Sequence, residues 1–588
     1  MTDDLKSVAR AWAALPQISD LRASADGAWA FWSGAGLGEV ADVFAAPLST
    51  PGVVEQLTYG TDHFQIRDVS ADGQLLILAQ ARHASGHDHL MLLDRRVGNR
   101  LRLLTPKQES HRLSGGCLTR DGKAVLFVTD YDHASQTVVT QGLVWREDLT
   151  TGQRQCLARI PQFFSAPLRQ SPSGQRILLN LSARAEGSGQ IWVMNADGSG
   201  LREVFAMGET NDSRGEWLDE DRIVVVTDRM GRDEVGIFTV SAGTTQWLGG
   251  EPQVLPDRVV VGGKGGFACI AHKQGQTRAL LFDAAGTRVL PNLSGRRALV
   301  PHAGLPDGGW LAEAYDADAP AEVVQVAPNG LCRRLTSSPS SQRRHRAPRD
   351  FGWVSQDGRP VQGWLYEPET KSRGLIVHVH DGPACHAEDR VHPDAGFWVQ
   401  LGYTVLDPNC RGSTGFGYAW RAAIRSEAWR EREQQDLSTG IGAAVQRGYS
   451  PGRVAVTGTG CGGSSSWSAL MHCPDLVTAA IPICASFQPD LGQSHTAASR
   501  PQKEAAGKED RPSARIRGHV LMIQGLADSL ADANNAEGTV QELTAAGIPH
   551  EVMMFDNEGH GILRRTNVET RLMRSALFVE RAFAEGRR

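Results

Sequence analysis

Between positions 453 and 463 the chain reads Arg-Val-Ala-Val-Thr-Gly-Thr-Gly-Cys-Gly-Gly. A short apolar strand runs into a glycine-packed turn, and a helix-like stretch from Ser464 to His472 follows. A nucleophile elbow is built this way and reads G-x-S-x-G, with the serine at its strained apex. Here the frame Gly458-Thr459-Gly460-Cys461-Gly462 puts Gly460 at that apex. Two other groups fit the chain order nucleophile, acid, base. Asp528 follows the apolar run HVLMIQG, and His560 follows EVMMFD inside Gly559-His560-Gly561. A carboxylate so placed holds an imidazole in one tautomer and stabilises its protonated form. A lone His or Asp after a strand is usually polar surface; the joint order and the flanking glycines favour the functional reading. Two backbone N–H groups complete the set as an oxyanion hole, that of Cys461 and that of Gly382 in His380-Asp381-Gly382-Pro383. The plain alternative for the second is an ordinary strand-to-helix turn.

The elements that must position these groups are legible too. After residue 350, apolar runs at 375–380, 404–409, 454–458, 519–525 and 551–556 alternate with helix-like segments at 436–448, 464–472, 533–546 and 567–584. Such alternation predicts a parallel sheet covered on both faces, with functional groups beyond the carboxyl ends of its strands. The first 335 residues instead carry a repeat. A turn signal precedes a short apolar strand at 24–32, 70–79, 119–128 and 171–181, with weaker copies at 218–226, 262–271 and 306–314. Each is followed by a second strand pair. Four strands in roughly 45 residues predict propeller blades, seven by this count. The expected division is an N-terminal segment over 1–20, an all-β propeller over 21–336, a linker over 337–349 and an α/β-hydrolase domain over 350–588. The linker's Arg343, Arg344 and Arg346 are read as a solvated connection, not a nucleic-acid patch.

Composition narrows the classes further. At 588 residues the chain exceeds one core, so several domains are expected. Its 61 Lys and Arg against 66 Asp and Glu leave a net charge of −5, no basis for holding nucleic acid or anionic lipid. No apolar stretch is long enough for a membrane span, and the N-terminus lacks the apolar core of a signal peptide. Nine irregularly spaced cysteines predict a reduced, cytoplasmic protein.

Residues 350–588 resemble the catalytic domain of the prolyl oligopeptidase family, most closely its acylaminoacyl-peptidase-like branch. The matching stretches are GWLYEPE, HDGP, LDPNCRGSTGFG, DLSTGIGAAVQRGYSPGRVAV, the elbow, QGLAD and EGHG. A preceding propeller that caps the active site and limits substrates to peptides is also what the resemblance implies. It assigns acid and base roles to Asp528 and His560, oxyanion roles to Gly382 and Cys461, and the serine's place to Gly460. The segment Asp3 to Ala14 would pack on the hydrolase domain, and edge-strand pairing into a homo-oligomer is common in the family. The chain departs from the pattern around the same pocket. Asp381 stands where the family reads HGGP, Cys410 where it often reads PNYRG, and Cys461 and Ser464 where aromatic residues are frequent.

Four readings of the serine-free elbow follow. In the first, no acyl-enzyme forms at Gly460, catalysis falls to a residual of roughly 10³-fold over water, and the protein binds a peptide or peptide-like small molecule between its domains. In the second, Cys461 is the nucleophile in an elbow shifted by one residue, its thiolate paired with His560. In the third, His560 and Asp528 act as a general base without a covalent step, as in a hydrolase or a biosynthetic enzyme. In the fourth, Cys385, Cys410 and Cys461 join His380, His386 and His560 in a metal site; no ligand-type spacing supports it, so no metal or cofactor is expected. Apart from these, a Ser-to-Gly change inactivating an active serine peptidase would give the same elbow.

Overall fold

The computed structural model describes residues 2–587 except 36–37, 82–87, 106–111, 162–166, 183, 185–187, 209–210, 230, 250–254, 290–297, 337–346, 383–384, 427–430, 450–451, 486, 488–511 and 532–533. Most of the linker, with Arg343, Arg344 and Arg346, and Pro383 of the HDGP loop lie outside the described residues.

The repeated turn signal joins the first and second strands of each blade. In four copies a hydroxyl, on Ser24, Ser70, Thr119 or Ser171, accepts the N–H five residues on at 2.9 to 3.3 Å. The Asp two positions after Ser24, Ser70 and Thr119 accepts the hydroxyl's hydrogen bond. The chain then turns at a left-handed residue such as Gly73 (φ 67°), where glycine has no Cβ to strain. The result is seven four-stranded antiparallel sheets in chain order, from Gln17 to Arg334. Gln17–Ala23 already belongs to the first blade, so the boundary expected at residue 20 falls inside that strand. Among the described residues no strand is exchanged between the first and last sheets. The ring closes by apolar packing instead, with Leu21, Trp32 and Phe44 of the first blade against Leu305, Leu311 and Val323 of the seventh.

The second domain is one eight-stranded sheet. From one edge its strands are Arg349–Val354, Pro360–Tyr366, Thr404–Asn409, Leu375–Val379, Val454–Thr459, Ala479–Ile483, His519–Gly525 and His550–Phe555. The last six run parallel, and the first two add an antiparallel edge. The parallel strands are near-continuous apolar runs because both faces are covered. Leu375, Val377, Val454 and Val456 enter one core with Trp467 and Leu470, while Ile376 and Ala455 enter the other with Trp398 and Val579.

The helix Thr2–Ala13 joins that second core through Val8, Ala9 and Trp12. The Trp12 indole donates to Gln400 at 2.7 Å and lies flat on Gly396, where a Cβ would meet the ring at 2.1 Å. The two domains touch through charged groups. Arg421 bonds Asp228 and Asp233 at 3.2 and 3.3 Å, Arg390 reaches Glu313 at 3.3 Å, and the Tyr315 hydroxyl donates to Glu388 at 2.5 Å.

Candidate active site

Connection order in the sheet reverses between Leu375–Val379 and Val454–Thr459, because the chain proceeds from the first of these to one side and from the second to the other. Ligand crevices of open α/β sheets form at such a switch, beyond the carboxyl ends. Asp381 and Gly382 leave the first of these strands and Gly460 leaves the second, so the sheet topology delivers them side by side. Asp528 and His560 follow the two strands at the far edge.

Gly460 has φ 55° and ψ −115°, a turn that puts its missing side chain on the crevice side. A Cβ built there would lie 2.9 Å from His560 Nε2 and only 2.5 Å from Asp381 Oδ1. His560 therefore faces the apex as a base would. The place of the absent side chain is taken by a carboxylate from another loop.

That carboxylate also fills the expected oxyanion hole. Asp381 Oδ1 accepts the Gly382 N–H at 2.8 Å and the Cys461 N–H at 3.0 Å. Cys461 opens the helix Cys461–His472, whose first N–H groups carry no intrahelical partner, and a carboxylate at that end is favourable. Just upstream, His380 Nδ1 donates to the Asp381 carbonyl at 2.6 Å, and its Nε2 meets Ser413 Oγ at 2.9 Å. Burial lowers its pKa.

On the other flank His560 Nδ1 meets the Asp528 oxygens at 3.1 and 3.2 Å. Asp528 is itself anchored. Its Oδ1 accepts the Leu530 and Ala531 N–H groups at 2.9 and 2.8 Å, and its Oδ2 accepts the Gln524 amide at 3.0 Å. The hydrogen bond to Asp528 raises the pKa of His560 against the opposing effect of burial, and the charges of Asp528 and Asp381 add to the rise. The imidazole loop is held from below by Cys484, a buried residue at φ 48°. Its thiol donates to Gly559 O at 3.5 Å and accepts from Gly561 N at 3.2 Å.

All five residues expected at the site, Gly382, Gly460, Cys461, Asp528 and His560, thus converge on one crevice. The Cys461 thiol donates to the Gly382 carbonyl. The cysteines expected to border the pocket part ways. Cys410 is buried, with its thiol pKa pushed well up by that burial, whereas Cys385 is exposed. Among the described residues no group of His, Cys, Asp and Glu is arranged to hold a metal ion. Asp381 was visible in the sequence as a departure at HDGP, but nothing local gave it a role. Gln524 and Cys484 left no signal at all.

Arg411 of the motif PNCRG stands behind the site. Its side chain is wholly buried and bonds Asp436 at 2.5 and 3.0 Å and Asp357 at 2.6 Å. This ties the loop 410–415, which holds Ser413 against His380, to the helix Glu431–Gln446. No helix among the described residues is long and apolar enough to cross a membrane.

Comparison with known proteins agrees with this architecture. Residues 391–586 match the model of the prolyl oligopeptidase family. The chain is 23% identical over 607 residues to dipeptidyl aminopeptidase BIII of Pseudoxanthomonas mexicana, covering 94% of this chain and 85% of that protein. In fold it superimposes on a puromycin-hydrolyzing peptidase of Mycobacterium tuberculosis with a TM-score of 0.80 at 19% identity, over 98% and 96% of the two chains. It also superimposes on a puromycin hydrolase with a TM-score of 0.82 at 18% identity, again over 98% and 96%. Behind its seven-bladed propeller, this chain carries an α/β-hydrolase domain of the prolyl oligopeptidase family.

Proposed function

We propose that this chain binds a peptide or peptide-like ligand between propeller and hydrolase domain and forms no acyl-enzyme with it. One observation carries the reading: Asp381 Oδ1 stands 2.5 Å from where a side chain on Gly460 would begin, and takes both N–H groups of the oxyanion hole. A ligand carbonyl then meets a carboxylate where a peptidase offers a hydroxyl and two donors. Covalent catalysis loses its nucleophile and its electrostatic stabilisation together.

The coupling of the two positions also bears on how the site arose. A serine placed at 460 with Asp381 as it stands would overlap the carboxylate. Asp381 and Gly460 are therefore read as one paired replacement, which favours joint divergence over a lone inactivating change at 460. The thiol of Cys461, engaged with the Gly382 carbonyl, adds no support to a cysteine nucleophile.

A second reading has its own observation. His560 Nε2 and Asp381 Oδ1 flank the apex, 2.9 and 2.5 Å from where a Cβ on Gly460 would stand, so a water or substrate hydroxyl bound over Gly460 would have a proton acceptor on each side. The pair would then work by proton transfer without a covalent step. A fluorophosphonate probe and a panel of dipeptidyl and acyl-peptide amides test the two. Absence of both labelling and turnover supports the binder. Turnover without labelling, abolished in His560→Ala, selects the second reading. Stoichiometric labelling of the wild-type protein overturns both.

A further inference from the structure

The two oxygens of the Asp381 carboxylate are not equivalent. Oδ1 accepts the Gly382 and Cys461 N–H groups at 2.8 and 3.0 Å. Oδ2 takes no hydrogen bond among the described residues, and Asp381 is exposed. One oxygen is pinned, and the other keeps its lone pairs for an incoming atom. Across the apex, His560 Nε2 lies 2.9 Å and the Asp381 carboxyl carbon 3.0 Å from where a Cβ on Gly460 would stand. The base and the carboxyl carbon therefore border one space.

A carboxylate is a competent nucleophile. The electrophile it suits here follows from the donors it holds. Attack on a peptide carbonyl would build a tetrahedral oxyanion, but Oδ1 already occupies the two N–H groups that would receive it. The product would also be a mixed anhydride, higher in energy than the amide consumed. Displacement at a saturated carbon meets neither obstacle. It builds no oxyanion, and its product is an ordinary ester. The occupied donors then gain a use. When water adds to that ester at the carboxyl carbon, negative charge gathers on Oδ1, which already sits at oxyanion-hole distance from both N–H groups.

We infer that Asp381 is the nucleophile of a hydrolysis at saturated carbon, acting on compounds that carry a leaving group such as halide or sulfonate on a primary carbon. In the first step Oδ2 bonds to that carbon, and the leaving group departs with the electron pair of the broken bond. In the second, His560 Nε2 takes a proton from water as the water oxygen adds to the Asp381 carboxyl carbon. Asp528, 3.1 Å from His560 Nδ1, steadies the imidazolium. The intermediate collapses by breaking the bond between the carboxyl carbon and the alkyl oxygen. The alcohol leaves with the proton from His560, and the regenerated acid gives its own proton to solvent. In sum, alkyl halide and water become alcohol, halide and a proton. This goes beyond the lack of an acyl-enzyme. It rests on the same placement of Asp381, yet the two fail separately, because peptide amides test the one and alkyl electrophiles the other.

The full-length protein is offered butyl bromide, butyl methanesulfonate and N-bromoacetylalanine amide, and release of bromide or methanesulfonate is followed. Release from at least one should fall by at least about 10³-fold in Asp381→Asn. Two measurements identify the nucleophile. With enzyme in excess in heavy-oxygen water, the first turnover should put the label into Asp381 and leave ordinary oxygen in the alcohol. In His560→Gln the ester should accumulate, and peptide mass spectrometry should find the alkyl group on Asp381. If Asp381→Asn fails to fold, the labelling and trapping results decide alone. Release from none of the three compounds, or release undiminished in Asp381→Asn, overturns the inference. So does label in the alcohol on the first turnover, which marks direct attack by water, or an alkyl group on Cys461 in place of Asp381.

Discussion

Asp381 occupies the space into which a side chain on Gly460 would project. Its Oδ1 lies 2.5 Å from that point and holds the N–H groups of Gly382 and Cys461. Two positions 79 residues apart in the chain, a glycine at the apex of the turn and an acid in the loop after another strand, are thereby a single structural unit.

This pairing gives a sharp prediction for restoring peptidase chemistry. Gly460→Ser alone should leave fluorophosphonate labelling near the wild-type background, because Asp381 blocks both the hydroxyl and the oxyanion donors. The double variant Gly460→Ser with Asp381→Gly should raise the labelling rate by at least about 10²-fold. Gel fluorescence with a fluorophosphonate reads both. Full labelling of the single variant would show that Asp381 yields freely.

The thiol next to the apex is expected to be a bystander. Cys461→Ser should leave ligand affinity within about twofold, since its observed bond runs to a backbone carbonyl that a hydroxyl also satisfies. Any turnover detected in the wild type should persist. Loss of turnover on this substitution would revive the cysteine nucleophile.

His560 carries a pH signature with a definite sign. Its pKa in the folded protein is raised, chiefly by the bond to Asp528, above the ordinary value of 6.5. The stabilisation it contributes is fully present below that ordinary value and is lost as pH rises through the higher folded value. The melting temperature of the wild type minus that of His560→Gln should therefore be largest near pH 6 or below and shrink on going alkaline. Differential scanning calorimetry across pH 5.5 to 9 (on the order of three units, centred on the histidine range) tests this. A difference that grows with pH would contradict it.

Arg411 is expected to matter for stability before function. Its guanidinium and the Asp436 carboxylate are both fully buried and 2.5 Å apart. Removing one partner strands the other charge, so Arg411→Met should cost about 3–5 kcal/mol in urea unfolding. A loss below about 1 kcal/mol, the range of exposed pairs, would mean that water reaches Asp436.

Trp12 gives the N-terminal helix a comparable test. Trp12→Ala removes the buried indole that covers Gly396 and should destabilise the hydrolase domain by about 3–5 kcal/mol. Thermal unfolding should report it, and an unchanged transition would show the helix to be dispensable.

Much of the architecture was legible because it is written in local patterns. The Ser/Thr-x-Asp-Gly turns announce blades through hydrogen bonds that close within five residues. The runs at 375–380, 454–458 and 519–525 announce buried parallel strands through their unbroken apolarity. The helices Pro393–Gln400 and Tyr418–Ser426 carry no such local signal. The first is short and buried on most sides, so it lacks a polar face, and the second lies among glycines that read as loop. The strand Ala479–Ile483 is not legible, because five apolar residues without alternation cannot be told from a helix turn.

The chain's own order of residues determined a propeller before an α/β sheet, and a glycine at the apex of an elbow with an acid and a histidine still in place downstream. Each of these is a statement about neighbours in sequence. Which group fills the space above Gly460 and where the Cys461 thiol points were decided only in three dimensions. They depend on side chains from strands far apart in the chain meeting at one switch point. No local periodicity encodes a contact of that kind, because it is fixed by the order of strands in the sheet.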